Sequence, residues 1–328
     1  MSRVLCILAE PLLLVDDLRT QFYTRRGVVK AVDGVSFSIN QGEAFGLVGE
    51  TGCGKSVTGL SIMRLIQSPG RILSGKMVLD GEDLSKKNEE AMRRIRGKDA
   101  SMIFQDPLTS LNPVFKIGDQ IMEAIILHQG LAQKEAREKA IEMLEFVAIP
   151  DADSRMNDFP HQLSGGMRQR VMIAMALSCG PKLLIADEPT TNLDVTIQAQ
   201  IIELLKQIRD RLGSILLISH DLGLIAEVCQ RVGIMYAGNI VEIAEIKDLF
   251  RNPVHPYTEG LLNCIPRLGH KKKRLGMIPG VVPSVIEPPA GCKFHPRCRY
   301  AAEICRRERP FLQEHRGHRA SCHITLDN

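Results

Sequence analysis

This 328-residue chain contains no tryptophan, and aromatic residues make up only 4% of it. So few rings argue against a stacking platform for single-stranded nucleic acid. No apolar run reaches the ~18 residues that a membrane-spanning helix needs. The N-terminal run VLCILAEPLLLV is interrupted by Glu10 and Pro11 and has no small-residue cleavage site. It reads as an extension leading into a first strand rather than as a secretory leader, so the chain is expected to stay in the cytosol. No two cysteines have the close C-x2–4-C spacing of structural zinc sites. An excess of one charge is also missing overall, since the net charge is only +4. That figure hides an asymmetry: from Arg267 onward there are 13 Lys and Arg against 5 Asp and Glu. A basic tail suits nucleic acid or an anionic surface, but a solvated charged face is the commoner origin of such a run. No nucleic-acid partner is expected.

What is present is a soluble-type composition, 44% hydrophobic and 24% charged. Residues 12–48 read as strands: LLLVDDLRTQF, VVKAVDGVSFSI and EAFGLVG, punctuated by Gly and Asn-Gln-Gly. Residues 55–66 show apolar residues at helical spacing, and 115–180 is mostly helical in pattern, with KEAREKAIEMLEFV the clearest amphipathic helix. The short apolar runs LLIAD and SILLISH then flank the helix VTIQAQIIELLKQIRDRL. Strands alternating with helices predict an α/β fold with a parallel sheet covered on both faces. Beyond about residue 250, Pro, His, Gly and Cys become common and periodicity fades, which marks a small irregular module.

GETGCGKS, Gly49–Ser56, has the pattern G-x-x-x-x-G-K-[ST] between a strand and a helix. Its glycines let consecutive backbone N–H groups point at a phosphate chain, and the helix N-terminus adds partial positive charge. Lys55 can reach terminal phosphates and Ser56 can ligate Mg2+. The phosphate-binding set is thus Gly49, Glu50, Thr51, Gly52, Cys53, Gly54, Lys55, Ser56 and the helical Val57. KLLIADEP, Lys182–Pro189, brings Asp187 and Glu188 to the carboxyl end of a strand, where ligands of open parallel sheets bind. Asp187 is placed for Mg2+ and Glu188 for orienting or deprotonating an attacking water.

A phosphate-binding loop alone fits kinases, GTPases, helicases and transport ATPases. LSGGMRQR, Leu163–Arg170, narrows the choice. With GETGCGKS, FQDP, LLIADEP, TNLD and ISHD in the same order, the chain resembles the ATP-binding subunits of ABC transporters over nearly its whole length. The resemblance implies a P-loop NTPase (RecA-like) core at 1–108 and 179–250, a helical signature subdomain at 109–178, and a C-terminal regulatory or iron–sulfur extension at 251–328. It also implies that two subunits pack head to tail. Ser164, Gly165 and Gly166 of one then cover the γ-phosphate held by the loop of the other, with Asp194 at the seam. Gln105 is expected at Mg2+ or the attacking water, and His220 at the γ-phosphate. Tyr23 is a candidate for stacking on adenine, with a core role equally open.

FQDPLTSLNPVFKIGDQI, DVTIQAQI, MYAGNIVE and NPVHPYTEGLL resemble the oligopeptide, dipeptide and nickel uptake group, most closely its dipeptide-type subunits. That implies a second ATPase subunit, identical or different, two membrane permeases docked near the TSLNP stretch, an extracytoplasmic substrate-binding protein, and a place on the cytoplasmic face of the cell membrane. The cargo stays open between peptides, nickel, an oligosaccharide or another solute. A soluble ABC ATPase acting on DNA or ribosomes would carry long coiled coils or two cassettes. A P-loop kinase would lack the signature stretch.

Cys292, Cys298, Cys305 and Cys322 crowd the tail. A reducing compartment argues against structural disulfides. Iron–sulfur and zinc both take thiolates, and the resemblance favours a [4Fe–4S] cluster with a structural role. His295, His315, His318 and His323 are expected to be bystanders. Cys6, Cys53, Cys179, Cys229 and Cys264 read as packing or incidental residues, with Cys53 the one a thiol reagent would use to block ATP binding.

Overall fold

The structure, a computed structural model, describes residues 10–265 and 277–326. Cys6 and the first part of the basic tail lie outside them.

Strand β1 (Leu13–Thr24) pairs antiparallel with β2 (Gly27–Ile39), burying Leu13, Val15, Val35, Phe37 and Ile39. The fully buried β3 (Ala44–Val48) runs through a loop into helix α1 (Lys55–Ile62). Apolar spacing continues to Ile66, yet the helix stops at Ile62. Arg64 takes a left-handed conformation, φ 52°, that no right-handed helix continues through. β4 (Gly70–Leu79) and β5 (Glu82–Asp83) complete an antiparallel sheet in the order β2-β1-β4-β5. Next come α2 (Glu89–Ile95), whose first turn is capped by the Asn88 side chain, and β6 (Ala100–Ile103). A helical stretch follows: α3 (Pro107–Ser110), α4 (Ile117–Gln129), α5 (Gln133–Phe146), α6 (Ala152–Arg155) and α7 (Gly165–Leu177).

The chain then returns to the sheet with β7 (Leu183–Asp187), α8 (Val195–Leu212), β8 (Ile215–Ser219), α9 (Leu222–Val228), β9 (Arg231–Tyr236) and β10 (Asn239–Glu245). β7 and β8 are buried at every position, which is why their sequences are continuous apolar runs rather than alternating ones. The tail holds α10 (Ile246–Arg251), α11 (Pro256–Cys264), α12 (Glu303–Arg307), β11 (Gln313–His315) and β12 (His318–Ala320). The larger sheet has the order β11-β12-β10-β9-β3-β8-β7-β6. Its run from β9 to β6 is parallel, as the alternation of strands and helices predicts. Its other end is antiparallel, so the sheet is mixed.

The tail is fastened to the core at several points. β12 pairs with β10 through Glu242↔Ala320 and Ile243↔Arg319. Glu242 is fully buried and accepts from the backbone N–H groups of Val254 and His255, both at 2.9 Å, and from His318 Nδ1 at 2.7 Å. Burial pushes its carboxyl up, but these hydrogen bonds, led by His318, hold it below the usual range. Asp33 of β2 is a second anchor. Lys293 and Arg309 of the tail reach it at 3.0 and 3.2 Å, beside Arg19 at 2.7 Å. Burial pushes Asp33 up as well, and the three cations outweigh it.

His255 caps α11: its Nδ1 accepts from the Tyr257 N–H at 3.0 Å. Burial pushes its pKa down to about 4, whereas an unfolded histidine titrates near ~6.5. Between those values the unfolded chain binds the extra proton, so stability falls as pH drops. We expect the thermal midpoint to decline from pH 6.5 toward pH 4, with a contribution on the order of 3 kcal/mol from this group. His255→Asn keeps a capping oxygen without the titration and is expected to flatten the decline. Thermal unfolding of both proteins across this range checks it; parallel curves would refute it.

Candidate active site

The phosphate-binding loop is shaped by what its glycines avoid. A Cβ on Gly49 would lie 2.1 Å from the Met235 carbonyl oxygen, and one on Gly54 would lie 2.2 Å from that of Ala31. Gly54 also has φ 107° at the N-cap of α1. Thr51 and Gly52 are exposed, and Val57 is half-buried against the core. Lys55 is folded back, its Nζ donating to the carbonyls of Gly49 at 2.8 Å and Glu50 at 3.3 Å. The Cys53 thiol is buried, and burial raises its pKa. That corrects the expectation of a reagent-accessible thiol in the loop, since the thiolate is the reactive form.

Strand register brings the rest of the site together. Val48 stands opposite Ser219, Asp187 opposite Ile218, and Ile103 opposite Ala186. The parallel strands therefore end level with one another. The residues that follow, the loop after β3, Glu188 after β7, His220 after β8 and Gln105 after β6, emerge at one face. Glu188 is the focus. Its Oε2 lies 3.1 Å from Gln105 Nε2, 3.0 Å from Thr191 Oγ1 and 3.3 Å from His220 Nδ1. Gln105, Glu188 and His220, the three residues that the sequence singles out for chemistry, thus converge, joined by Thr191, which opens the TNLD stretch and had no role assigned. Glu188 itself has φ 46°, and its N–H donates to the Ile218 carbonyl at 2.9 Å.

Beside it, Ser56 Oγ donates to Asp187 Oδ1 at 2.9 Å. Burial pushes the Asp187 pKa up to about 6, against the pull of Ser56 and Lys55. A hydroxyl and a desolvated carboxylate in contact form a donor set that fits a hard divalent cation.

The signature stretch makes local contacts. Ser164 caps α7, accepting from the Met167 N–H at 3.3 Å. No atom lies within 4 Å of a Cβ placed on Gly165, whereas one on Gly166 would meet Ile197 of α8 at 2.9 Å. Asp194 caps α8 and is exposed, next to an exposed Val195. Tyr23 is also exposed, with the Arg71 guanidinium 5.6 Å from its ring centre, while its neighbour Phe22 is half-buried.

The eight described cysteines are all free. Cys292, Cys298 and Cys305 each raise the pKa of Cys322, which burial foremost pushes up to about 12. Within this segment the Cys292 N–H donates to the Cys305 carbonyl at 2.8 Å. Among the described residues, however, no group of three or more His, Cys, Asp or Glu side chains is arranged to hold a metal ion.

Residues 32–191 match the family model "ABC transporter", and residues 241–305 match "Oligopeptide/dipeptide transporter, C-terminal region". The chain is 50% identical to the dipeptide transport ATP-binding protein DppD of Escherichia coli, over 97% of this chain and 98% of that one. It is 52% identical to the oligopeptide transport ATP-binding protein AppD of Bacillus subtilis, over 94% of each. Its fold matches the ATP-binding cassette MJ0796, solved as a dimer in a post-hydrolysis state with ADP and Pi. The TM-score is 0.65 at 24% identity, covering 71% of this chain and 98% of that one. With these relatives, the sheet and its phosphate-binding loop are those of an ATP-hydrolysing ABC cassette. Within that class, the chain belongs to the oligopeptide/dipeptide ABC transporter ATP-binding proteins. No described helix is long and apolar enough to cross a membrane.

Because Gly54 needs both its space and its positive φ, Gly54→Ala is expected to cost more than about 1 kcal/mol of stability and to abolish nucleotide binding. Gly165→Ala, in open space, is expected to leave the melting temperature unchanged. Thermal melts and nucleotide titrations of the two variants provide the comparison.

Proposed function

We propose that the chain drives uptake of dipeptides or oligopeptides. It would act as a homo- or heterodimer on the cytoplasmic face of the cell membrane, beside two permease subunits that receive cargo from an extracytoplasmic binding protein. The relatives' printed names and the match of the C-terminal region support the cargo class. The exposed apolar side chains of Val114 and Phe115, directly after the TSLNP stretch, support that face as the permease dock.

The convergence on Glu188 carries the mechanism. Backbone N–H groups of the 49–56 loop and the start of α1 cradle the phosphates. Lys55 exchanges the carbonyls of Gly49 and Glu50 for the terminal phosphates. Ser56 and Asp187 hold Mg2+, which neutralises charge on the phosphates when bound. Glu188 takes the proton of the attacking water, while Gln105 and His220 orient the water and the γ-phosphate. Tyr23 stacks on adenine. Ser164, Gly165, Gly166 and Asp194 face the nucleotide of the partner subunit, so ATP closes the dimer and hydrolysis releases it.

Removing the base isolates this step. Glu188→Gln is expected to slow phosphate release at least about 100-fold and to accumulate an ATP-bound dimer. Phosphate assays with size-exclusion chromatography test it; a normal rate would sink the assignment. Recovery of nickel- or sugar-type permeases and binding proteins with the chain would replace the peptide reading.

Cys292, Cys298, Cys305 and Cys322 form a second proposal. Four cysteines within one short segment of the tail supply the thiolates that an iron–sulfur cluster takes. A [4Fe–4S] group would cross-link a region with little regular structure. Anaerobically purified protein is expected to contain about four irons per chain, lost in Cys305→Ser. Colourless protein with one zinc would overturn it.

A further inference from the structure

The phosphate-binding loop carries an acid whose carboxylate has no part in the steps above. Glu50 stands second in the loop that receives an anionic triphosphate. An uncompensated carboxylate there would oppose nucleotide binding.

Arg297, from the tail, meets it. Nη1 donates to Glu50 Oε2 at 2.8 Å and Nη2 to Oε1 at 3.2 Å. This fork joins residues 247 apart in the chain. The Arg297 side chain is 6% exposed and that of Glu50 25%. Every other N–H of the guanidinium also has an acceptor within 3.5 Å: Nε the Pro279 carbonyl, Nη1 the Tyr236 hydroxyl and Nη2 the Ile278 carbonyl. The guanidinium is therefore fixed in place. The Glu50 backbone is held as well, since its N–H donates to the Tyr257 hydroxyl at 3.1 Å.

We propose that Arg297 is a positioning residue of the nucleotide site: it neutralises and orients Glu50, so the loop's grip on ATP depends on the C-terminal module. Arg297 closes the turn His295–Arg297, directly before Cys298. Order in the cysteine-bearing turn and nucleotide affinity are thereby linked. The inference rests on the nucleotide-site reading above.

The test is a titration of the full-length chain with a fluorescent ATP analogue, using Arg297→Ala, Glu50→Gln and the double variant. Arg297→Ala is expected to weaken binding about tenfold or more. Glu50→Gln alone is the reference against which the double variant is read. The double variant is expected to recover the affinity of Glu50→Gln, because no charge is left to neutralise. In the assembled transporter, Arg297→Ala raises KM for ATP without a matching loss of kcat. Unchanged affinity in Arg297→Ala overturns the proposal. So does a double variant as weak as Arg297→Ala, since that outcome marks a purely architectural contact. Should Arg297→Ala not fold, Arg297→Gln keeps a hydrogen-bonding side chain without the charge and is read by the same two criteria. Lys55→Ala serves as the control: wild-type affinity there would sink the phosphate-loop reading itself, separately from Arg297.

Discussion

The level ends of the parallel strands are the constraint on which the site depends. β3, β8, β7 and β6 are hydrogen-bonded so that Val48, Ser219, Asp187 and Ile103 finish together. A strand slipped by one residue would turn its side chains to the other face and carry its terminal residue off the site. Burial of both sheet faces fixes that register, so the apolar core indirectly sets the distances around Glu188. Chemistry at the strand ends is thus a consequence of packing in the strand interiors.

Charge is handled by the same economy. Asp187 is desolvated next to Ser56, Glu242 is buried among hydrogen-bond donors, and Glu50 is clasped by Arg297. Each carboxylate has a partner, although at Asp187 burial outweighs the pull of Ser56 and Lys55. Two of the three, Glu242 and Glu50, take partners from the tail. Residues beyond 250 therefore complete the electrostatics of the core as well as extending its sheet.

Much of the site was legible because its elements are local. The helix VTIQAQIIELLKQIRDRL and the strands LLIAD and ILLIS are bounded by Asp194, Gly213 and polar turns that a linear reading can see. The glycine loop advertises itself by spacing. The tail was harder to read. β11 and β12 are three residues long, too short for a period to register, and they exist because β10 offers them a partner. The pairing of Arg297 with Glu50 spans nearly the whole chain, and no spacing rule encodes it. Whether the Cys53 thiol faces the core or a reagent is likewise set by contacts distant in sequence, such as the Gly238 N–H that donates to its carbonyl at 2.8 Å.

One consequence of the β10–β12 pairing concerns solubility. Without the tail, β10 would become an edge strand, with one row of backbone donors and acceptors bare over an apolar surface that includes Ile240, Val241 and Ile243. Such an edge templates aggregation between molecules. The hairpin replaces it with β11, a three-residue strand of Gln313, Glu314 and His315, too short and too polar to recruit a neighbour. The C-terminal segment thus doubles as a guard against misassembly while the subunit awaits its membrane partners.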